Sequence, residues 1–337
     1  MRFALIGAGV IGAVHARLID TLGDDATLVA VVDQSPDRAG KIVSEYGGHA
    51  YATAAEAYAA EEIDAVAICL PSALHADNAI EALHAGKQVI VEKPVDITLA
   101  AADRLIAAQR ETGRTVAVIS QRRFQPPVTQ IRTAIDNGAL GRVTSGIAES
   151  AFFRPQSYYD GDDWRGTLAV DGGGALMNQG IHALDLLVWM LGRPVQVSAQ
   201  TGRLAHEGIE VEDLAGASIR FESGAIGLML ASTAAYPGRP VRLTVHGDQG
   251  TAVLDDDQLA YFASAEGARP DAPVVDGPDG WGPTELAHLA QYRDFVAAVR
   301  DGREPAVTLE AGRRSLATVL AVYESAREGR PVELEED

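Results

Sequence analysis

At 337 residues the chain is longer than one hydrophobic core commonly serves, so two domains are expected. Its 28 Lys and Arg against 47 Asp and Glu give a formal net charge of -19, which excludes nucleic acid and anionic membrane as main partners, because both are held by a basic footprint. The single Cys69 can make no internal disulfide, and no apolar run is long enough to cross a bilayer, since His182 and Asp185 interrupt the stretch from Ile181 to Gly192. A cytoplasmic protein acting on a small ligand is expected.

Residues 2–6 predict an apolar strand, and Gly7-Ala8-Gly9-Val10-Ile11-Gly12 follows it at once, leading into a helix through Leu18. Between strand and helix, these glycines allow a tight turn, the approach of a pyrophosphate to the helix N-terminus, and close helix packing. They also break the apolar N-terminal run that would otherwise resemble a signal peptide. A second strand, 27–32, ends in Asp33, 21 residues past Gly12, near the spacing at which an acidic side chain accepts hydrogen bonds from an adenosine ribose. Strand, turn and carboxylate together predict a dinucleotide site, with Gln34 beside Asp33. Asp33 would repel a 2′-phosphate, which favours NAD; Arg38 keeps NADP open.

Strands at 49–52, 64–70, 88–91 and 115–120 then alternate with helices at 73–85 and 99–111, the pattern of a parallel, doubly wound sheet. Leu70, Pro71 and Ser72, with His75 just beyond, would border the nicotinamide half of the cofactor; Ser72 is equally an ordinary helix N-cap. The run Val89 to Val95 reads as a buried strand with Glu92, Lys93 and Pro94 at its end. Ligands gather at the carboxyl ends of such strands, so Lys93 is expected at the site, with Pro94 fixing the backbone that aims it.

The stretch 121–127 marks the crossing between domains 1–122 and 123–337. There Arg122 or Arg123, with Phe124, either faces substrate or is linker in water. A helix at 128–137 and a strand at 143–153 open the second domain. Tyr158-Tyr159-Asp160-Gly161-Asp162-Asp163-Trp164-Arg165-Gly166 is a substrate lid or a surface loop held by aromatics.

Within the expected helix 175–191, Leu184, Leu187, Val188 and Leu191 form an apolar stripe, while Asn178, His182, Asp185 and Trp189 share the opposite face. Amide, imidazole, carboxylate and indole suit a ligand-binding wall, with Asp185 placed to orient the imidazole. Strands at 214–221, 225–233, 241–246 and 259–262 read as a half-buried antiparallel sheet whose open face a homo-oligomer would cover. A loop, 264–283, precedes two helices, 285–299 and 309–327, the last packing back toward the first domain.

The Gly-rich fingerprint, Glu92-Lys93-Pro94, and Asn178-Gln179-Gly180-Ile181-His182-Ala183-Leu184-Asp185 together resemble the glucose-fructose oxidoreductase/inositol dehydrogenase/MocA family. The resemblance implies an N-terminal Rossmann domain and a C-terminal α/β domain with a large, mainly antiparallel open sheet that makes a homodimer or homotetramer. It also implies NAD(P)-dependent oxidation or reduction of a sugar or cyclitol carbinol, and it places Trp164 and Arg165 near the ligand. One departure stands out: many members carry aspartate where this chain has Asn178, and an amide holds a hydroxyl but takes no proton.

Hydride leaves an alcohol readily only if the hydroxyl proton leaves too, so His182 is assigned as base, Lys93 as the cation holding the same oxygen, and Glu92 as the group that orients Lys93. No metal is expected. Two rival readings are an NAD-dependent glycoside hydrolase of the same family and a non-catalytic NAD sensor.

Overall fold

Short β-branched runs alternating with amphipathic segments build a six-stranded parallel sheet in the first of two units of the computed structural model, which describes residues 1–161, 164–265 and 267–335. In chain order its elements are β1 (Arg2–Ile6), α1 (Val10–Thr21), β2 (Thr27–Val32), α2 (Pro36–Tyr46), β3 (His49–Tyr51), α3 (Ala54–Ala60), β4 (Ala65–Ile68), α4 (His75–His84), β5 (Gln88–Val91), α5 (Leu99–Thr112) and β6 (Val116–Val118). The strand order is β3-β2-β1-β4-β5-β6. Chain direction across the sheet reverses between β1 and β4, the point at which open α/β sheets take ligands.

Helices α2 and α3 went unassigned in the sequence, although their start signals are plain. Ser35 accepts from the Arg38 N–H with Pro36 at the first helical position, and Thr53 with Glu56 forms a reciprocal capping box. The helix expected at 73–85 is instead a 3₁₀ turn over Ser72–Leu74 followed by α4, and Ser72 makes no side-chain cap.

Sequence placed everything after residue 122 in one domain; the structure corrects this. His288–Arg313 groups with Met1–Gln121, while Arg122–Ala287 groups with Arg314–Asp337. The reason is packing: Tyr292 and Phe295, on a helix α9 (Pro283–Asp301) that starts in the second unit, are fully buried and lie 5.9 and 6.1 Å from the Phe3 ring of β1. The Gln291 side chain accepts from the Ser120 N–H and donates to the Val118 carbonyl, closing the end of β6.

The second unit contains α6 (Pro126–Asp136), β7 (Val143–Ala151), α7 (Gln156–Asp160), α8 (Ile181–Leu191), β8 (Pro194–Gly202), β9 (Leu214–Phe221), β10 (Ile226–Ser232), β11 (Arg242–Gly247), β12 (Gly250–Asp255), β13 (Gln258–Ser264) and β14 (Val332–Glu333), and most of α10 (Leu309–Glu328). Its eight strands run β13-β12-β11-β7-β10-β9-β8-β14, antiparallel except for the parallel pair β7 and β10. Gly146 and Gly227 are neighbours on that pair; a Cβ on Gly146 would lie 2.8 Å from Leu187 and Leu191 of α8, and one on Gly227 2.8 Å from Phe221 and 3.1 Å from Leu187, so their bareness lets the helix lie on the sheet.

On the other face, Leu228, Ile147, Thr244, Val253 and Tyr261 form one cross-strand row. Ile147, Ile226, Leu228, Leu230 and Tyr261 are each more than two-fifths exposed, an apolar surface larger than scattered single residues make. No helix among the described residues is long and apolar enough to cross a membrane.

The three glycines of the first turn have different duties. Gly7 has φ +99° and would set a Cβ 2.5 Å from the Cys69 carbonyl oxygen, and a Cβ on Gly12 would lie 2.0 Å from the Gly7 oxygen, whereas one on Gly9 meets nothing within 4 Å. Gly12→Ala is therefore expected to cost at least about 2 kcal/mol and lower the melting temperature by several degrees, with Gly9→Ala leaving it unchanged in the same calorimetric comparison.

Candidate active site

Four strand ends define the site in the first unit. At the end of β1, α1 begins with Gly9 as its N-cap and no capping side chain, so its first-turn N–H groups are not taken by a cap. Val10 is 85% exposed, Ile11 half-buried and Gly12 buried. Open space above Gly9 and uncapped amides fit the pyrophosphate of a dinucleotide.

At the end of β2, Asp33 accepts from the backbone N–H of Ala8 and Ser35, both at 2.8 Å, and from Arg38 through Nη2 at 2.8 Å. Burial opposes its charge, but the Arg38 bond and the two amides prevail and hold the carboxyl below its ordinary range. Gln34 beside it is exposed. Arg38 thus pairs with Asp33, a use the spacing did not reveal.

Leu70, Pro71 and Ser72 follow β4 and are half-buried. His75, expected beside the cofactor, is buried, with Nδ1 2.6 Å from the Pro94 carbonyl oxygen and Nε2 2.7 Å from that of Leu70. Burial pushes its pKa down and favours the neutral ring, whose single N–H donates to one of these two carbonyls. Its polar atoms are committed to the backbone, tying the turn after β4 to the turn after β5. Asp96 reinforces that tie, accepting from Ala76 on one oxygen and from Ile97 and Thr98 on the other.

After β5 stand Glu92, buried, Lys93, half-buried, and Pro94, joined to Lys93 by a cis peptide. Glu92 Oε2 accepts from the Lys93 backbone N–H at 3.0 Å; Oε1 lies 2.9 Å from His15 Nε2, and His15 Nδ1 lies 2.6 Å from the Tyr292 hydroxyl. Burial would raise the Glu92 pKa, but the His15 bond and the charges of His15, Lys93 and His288 drive it well below the usual carboxylate range. Ligating atoms of His15, Glu92 and His288 lie within 4.8 Å of one another, and His15 spends both nitrogens in hydrogen bonds. His15, His288 and Tyr292 were not found in the sequence; only the histidine three residues past the fingerprint hinted at them.

In the second unit the expected helix 175–191 is not uniform. Ala175–Gly180 is π-helical and only Ile181–Leu191 is α-helical, so the spacing of four from Asn178 to His182 does not put them on one α-helical face. Half-buried Glu212 holds the start of the π turn, accepting from Gly174, Leu176 and the Tyr323 hydroxyl. Asn178 donates from Nδ2 to Asp171 at 2.6 Å, which fixes the orientation of the amide. Asp171, a carboxylate unseen in the sequence reading, stands behind the amide that replaces the family's aspartate.

His182 is half-buried on the first turn of α8. Asp185, expected to orient it, grips Arg123 through both oxygens at 2.8 and 2.6 Å and accepts from Ser315, and Arg123 also lies over the Trp189 ring. Arg123 is thus part of that wall. Arg122 is half-buried, its Nη1 buried without a hydrogen-bond partner, and burial lowers its pKa. Phe124 is half-buried beside it.

In the loop, Arg165 stacks on Tyr158 and Trp164 at 4.4 and 4.8 Å, while Tyr159 is anchored in the core by its hydroxyl on Thr233. Asp162 and Asp163 of the expected lid lie outside the described residues.

The NAD-binding Rossmann oxidoreductase model matches residues 1–120, and the GFO/IDH/MocA C-terminal domain model matches 128–253. The chain is 31% identical to inositol 2-dehydrogenase of Rhizobium meliloti over 99% of both chains, and 29% identical to the NAD(+)-dependent scyllo-inositol 2-dehydrogenase of Bacillus subtilis over 99% of this chain and 96% of that one. Among solved structures, the WlbA dehydrogenase of Bordetella pertussis, in complex with NADH and UDP-GlcNAcA, superposes with a TM-score of 0.89 at 32% identity, covering 100% of this chain and 99% of that one.

Removing one partner of a buried, doubly bonded ion pair costs about 3–5 kcal/mol. Arg123→Gln and Asp185→Asn are therefore each expected to lower the melting temperature by many degrees; an unchanged melting temperature in Asp185→Asn would return that carboxylate to a purely ligand-facing role.

Proposed function

As a member of the GFO/IDH/MocA family of NAD-binding oxidoreductases, this chain is, we propose, a dehydrogenase that exchanges a hydride between nicotinamide and a secondary alcohol of a cyclitol or sugar. The observation that carries this reading is the position of Lys93: it follows β5, at the same sheet edge as the Gly-rich turn and Asp33, next to the β1/β4 reversal. The inositol dehydrogenases among the relatives, matched end to end, support a polyol substrate.

NAD supplies the hydride acceptor when bound. Asp33 receives the ribose hydroxyls and disfavours a 2′-phosphate, and the uncapped amides of α1 receive the pyrophosphate. Lys93 is assigned to the carbinol oxygen as a fixed positive charge, so that negative charge gathering there is met without reorganisation. His182 is assigned to the hydroxyl proton, for which an imidazole is suited near neutral pH. The Asn178 carbonyl, set by Asp171, holds a neighbouring hydroxyl, and Arg122, Phe124, Tyr158, Trp164 and Arg165 complete the substrate surface. Asp185 supports the wall through Arg123.

The exposed apolar face of the second sheet is assigned to a second copy of the chain, giving a homodimer or homotetramer. We place the enzyme in the cytoplasm, where Cys69, a buried free thiol, stays reduced.

Four measurements check this. In a panel of inositols, aldoses and anhydrosugars assayed with NAD and NADP, at least one polyol is expected to yield NADH. Lys93→Ala and His182→Ala should each lower turnover at least about 100-fold, with NAD affinity within a few-fold. Near-normal turnover in either variant removes its assigned role, and sugar release without net NADH would favour the hydrolase. Asp33→Ser should raise the NADP-to-NAD preference at least about tenfold, since it removes a charge that repels phosphate. Leu228→Arg should shift the oligomer toward monomer in sedimentation, without loss of helical content.

A further inference from the structure

Of the buried string behind Lys93, only Glu92 has been given a part in the reaction so far. The string runs from the Tyr292 hydroxyl of α9 to His15 of α1, from His15 to Glu92, and from Glu92 to the Lys93 backbone N–H, with steps of 2.6, 2.9 and 3.0 Å. His15 and Tyr292 are fully buried and Glu92 nearly so. The chemistry fixes the direction of the central bond. Glu92 is ionised and can only accept, so His15 Nε2 is the donor to it, while His15 Nδ1 pairs with the Tyr292 hydroxyl. Tyr292 thereby holds the ring so that its Nε2–H faces the carboxylate.

We propose that His15 and Tyr292 are positioning residues for the reaction: by fixing the Glu92 carboxylate they keep Lys93 an ammonium and aim it at the substrate oxygen. The inference rests on the assignment of Lys93 made above. Titratable groups facing Glu92 are His15 from α1, Cys69 after β4, His75 from α4, the adjoining Lys93, and His288 and Tyr292 from α9. Without the His15 N–H, burial acts on Glu92 unopposed by its main partner. The carboxyl then holds a proton to higher pH, and Lys93 loses its counter-charge.

The test reads Lys93 directly and needs no substrate. Lys41, Lys87 and Lys93 are the only lysines in the sequence, so competitive acylation with acetic anhydride across pH, followed by peptide mass spectrometry, gives a titration midpoint for each in the intact protein. In Glu92→Gln and His15→Leu the Lys93 midpoint should fall by about one pH unit, a tenfold change in proton affinity, with Lys41 and Lys87 unmoved. Tyr292→Phe should shift it by less in the same direction, and His15→Gln, which restores an N–H to Glu92, should return it toward the wild-type value. Turnover should fall at least fivefold in His15→Leu and recover in His15→Gln, with NAD affinity unchanged.

A wild-type Lys93 midpoint in folded His15→Leu, or no recovery in His15→Gln, overturns the inference; if His15→Leu does not fold, Tyr292→Phe decides alone, and a wild-type midpoint there overturns it. Full turnover in Lys93→Ala would instead remove the assignment of Lys93 itself, so the two failures are told apart.

Discussion

A carboxylate kept ionised inside the first unit is the constraint on which this structure turns. Burying an unpaired carboxylate costs several kcal/mol, so Glu92 needs donors from every direction. It has them from α1, from its own chain at Lys93 and, through His15, from α9. The helix that follows the Gly-rich turn, the strand that ends at Lys93 and a helix from the far end of the chain are thus fastened to one charge. The grouping of His288–Arg313 with the first unit follows from the same helix, whose Tyr292 and Phe295 fill the space beside Phe3.

The second unit departs from regular helix at the candidate site. The segment just before His182 is π-helical, its start held by Glu212 and its amide side chain, Asn178, by Asp171. Beneath it, Gly146 and Gly227 let α8 settle on the sheet, while the opposite face carries an exposed apolar row.

What could be read in the sequence was chemistry that sits close together along the chain. The fingerprint, Asp33 and Glu92-Lys93-Pro94 each declare a strand end within a few residues, and the parallel sheet follows from their alternation. Partners remote in sequence stayed hidden: His15 and Tyr292 are 277 residues apart, and no periodicity connects them. The face drawn through Asn178, His182, Asp185 and Trp189 assumed 3.6 residues per turn, which the π turn breaks, and nothing local shows that Arg123 would claim Asp185. Ser35-Pro36 and Thr53 with Glu56 were legible caps that the hydrophobic pattern alone did not bring forward.

The most direct measurement is a crystal structure of the enzyme with NADH and a substrate polyol. The account predicts one carbinol oxygen within about 2.6–3.2 Å of both the Lys93 Nζ and a ring nitrogen of His182, with Tyr292, His15 and Glu92 still joined behind the lysine. Lys93 and His182 on different atoms of the polyol, or one of them away from it, would contradict the account.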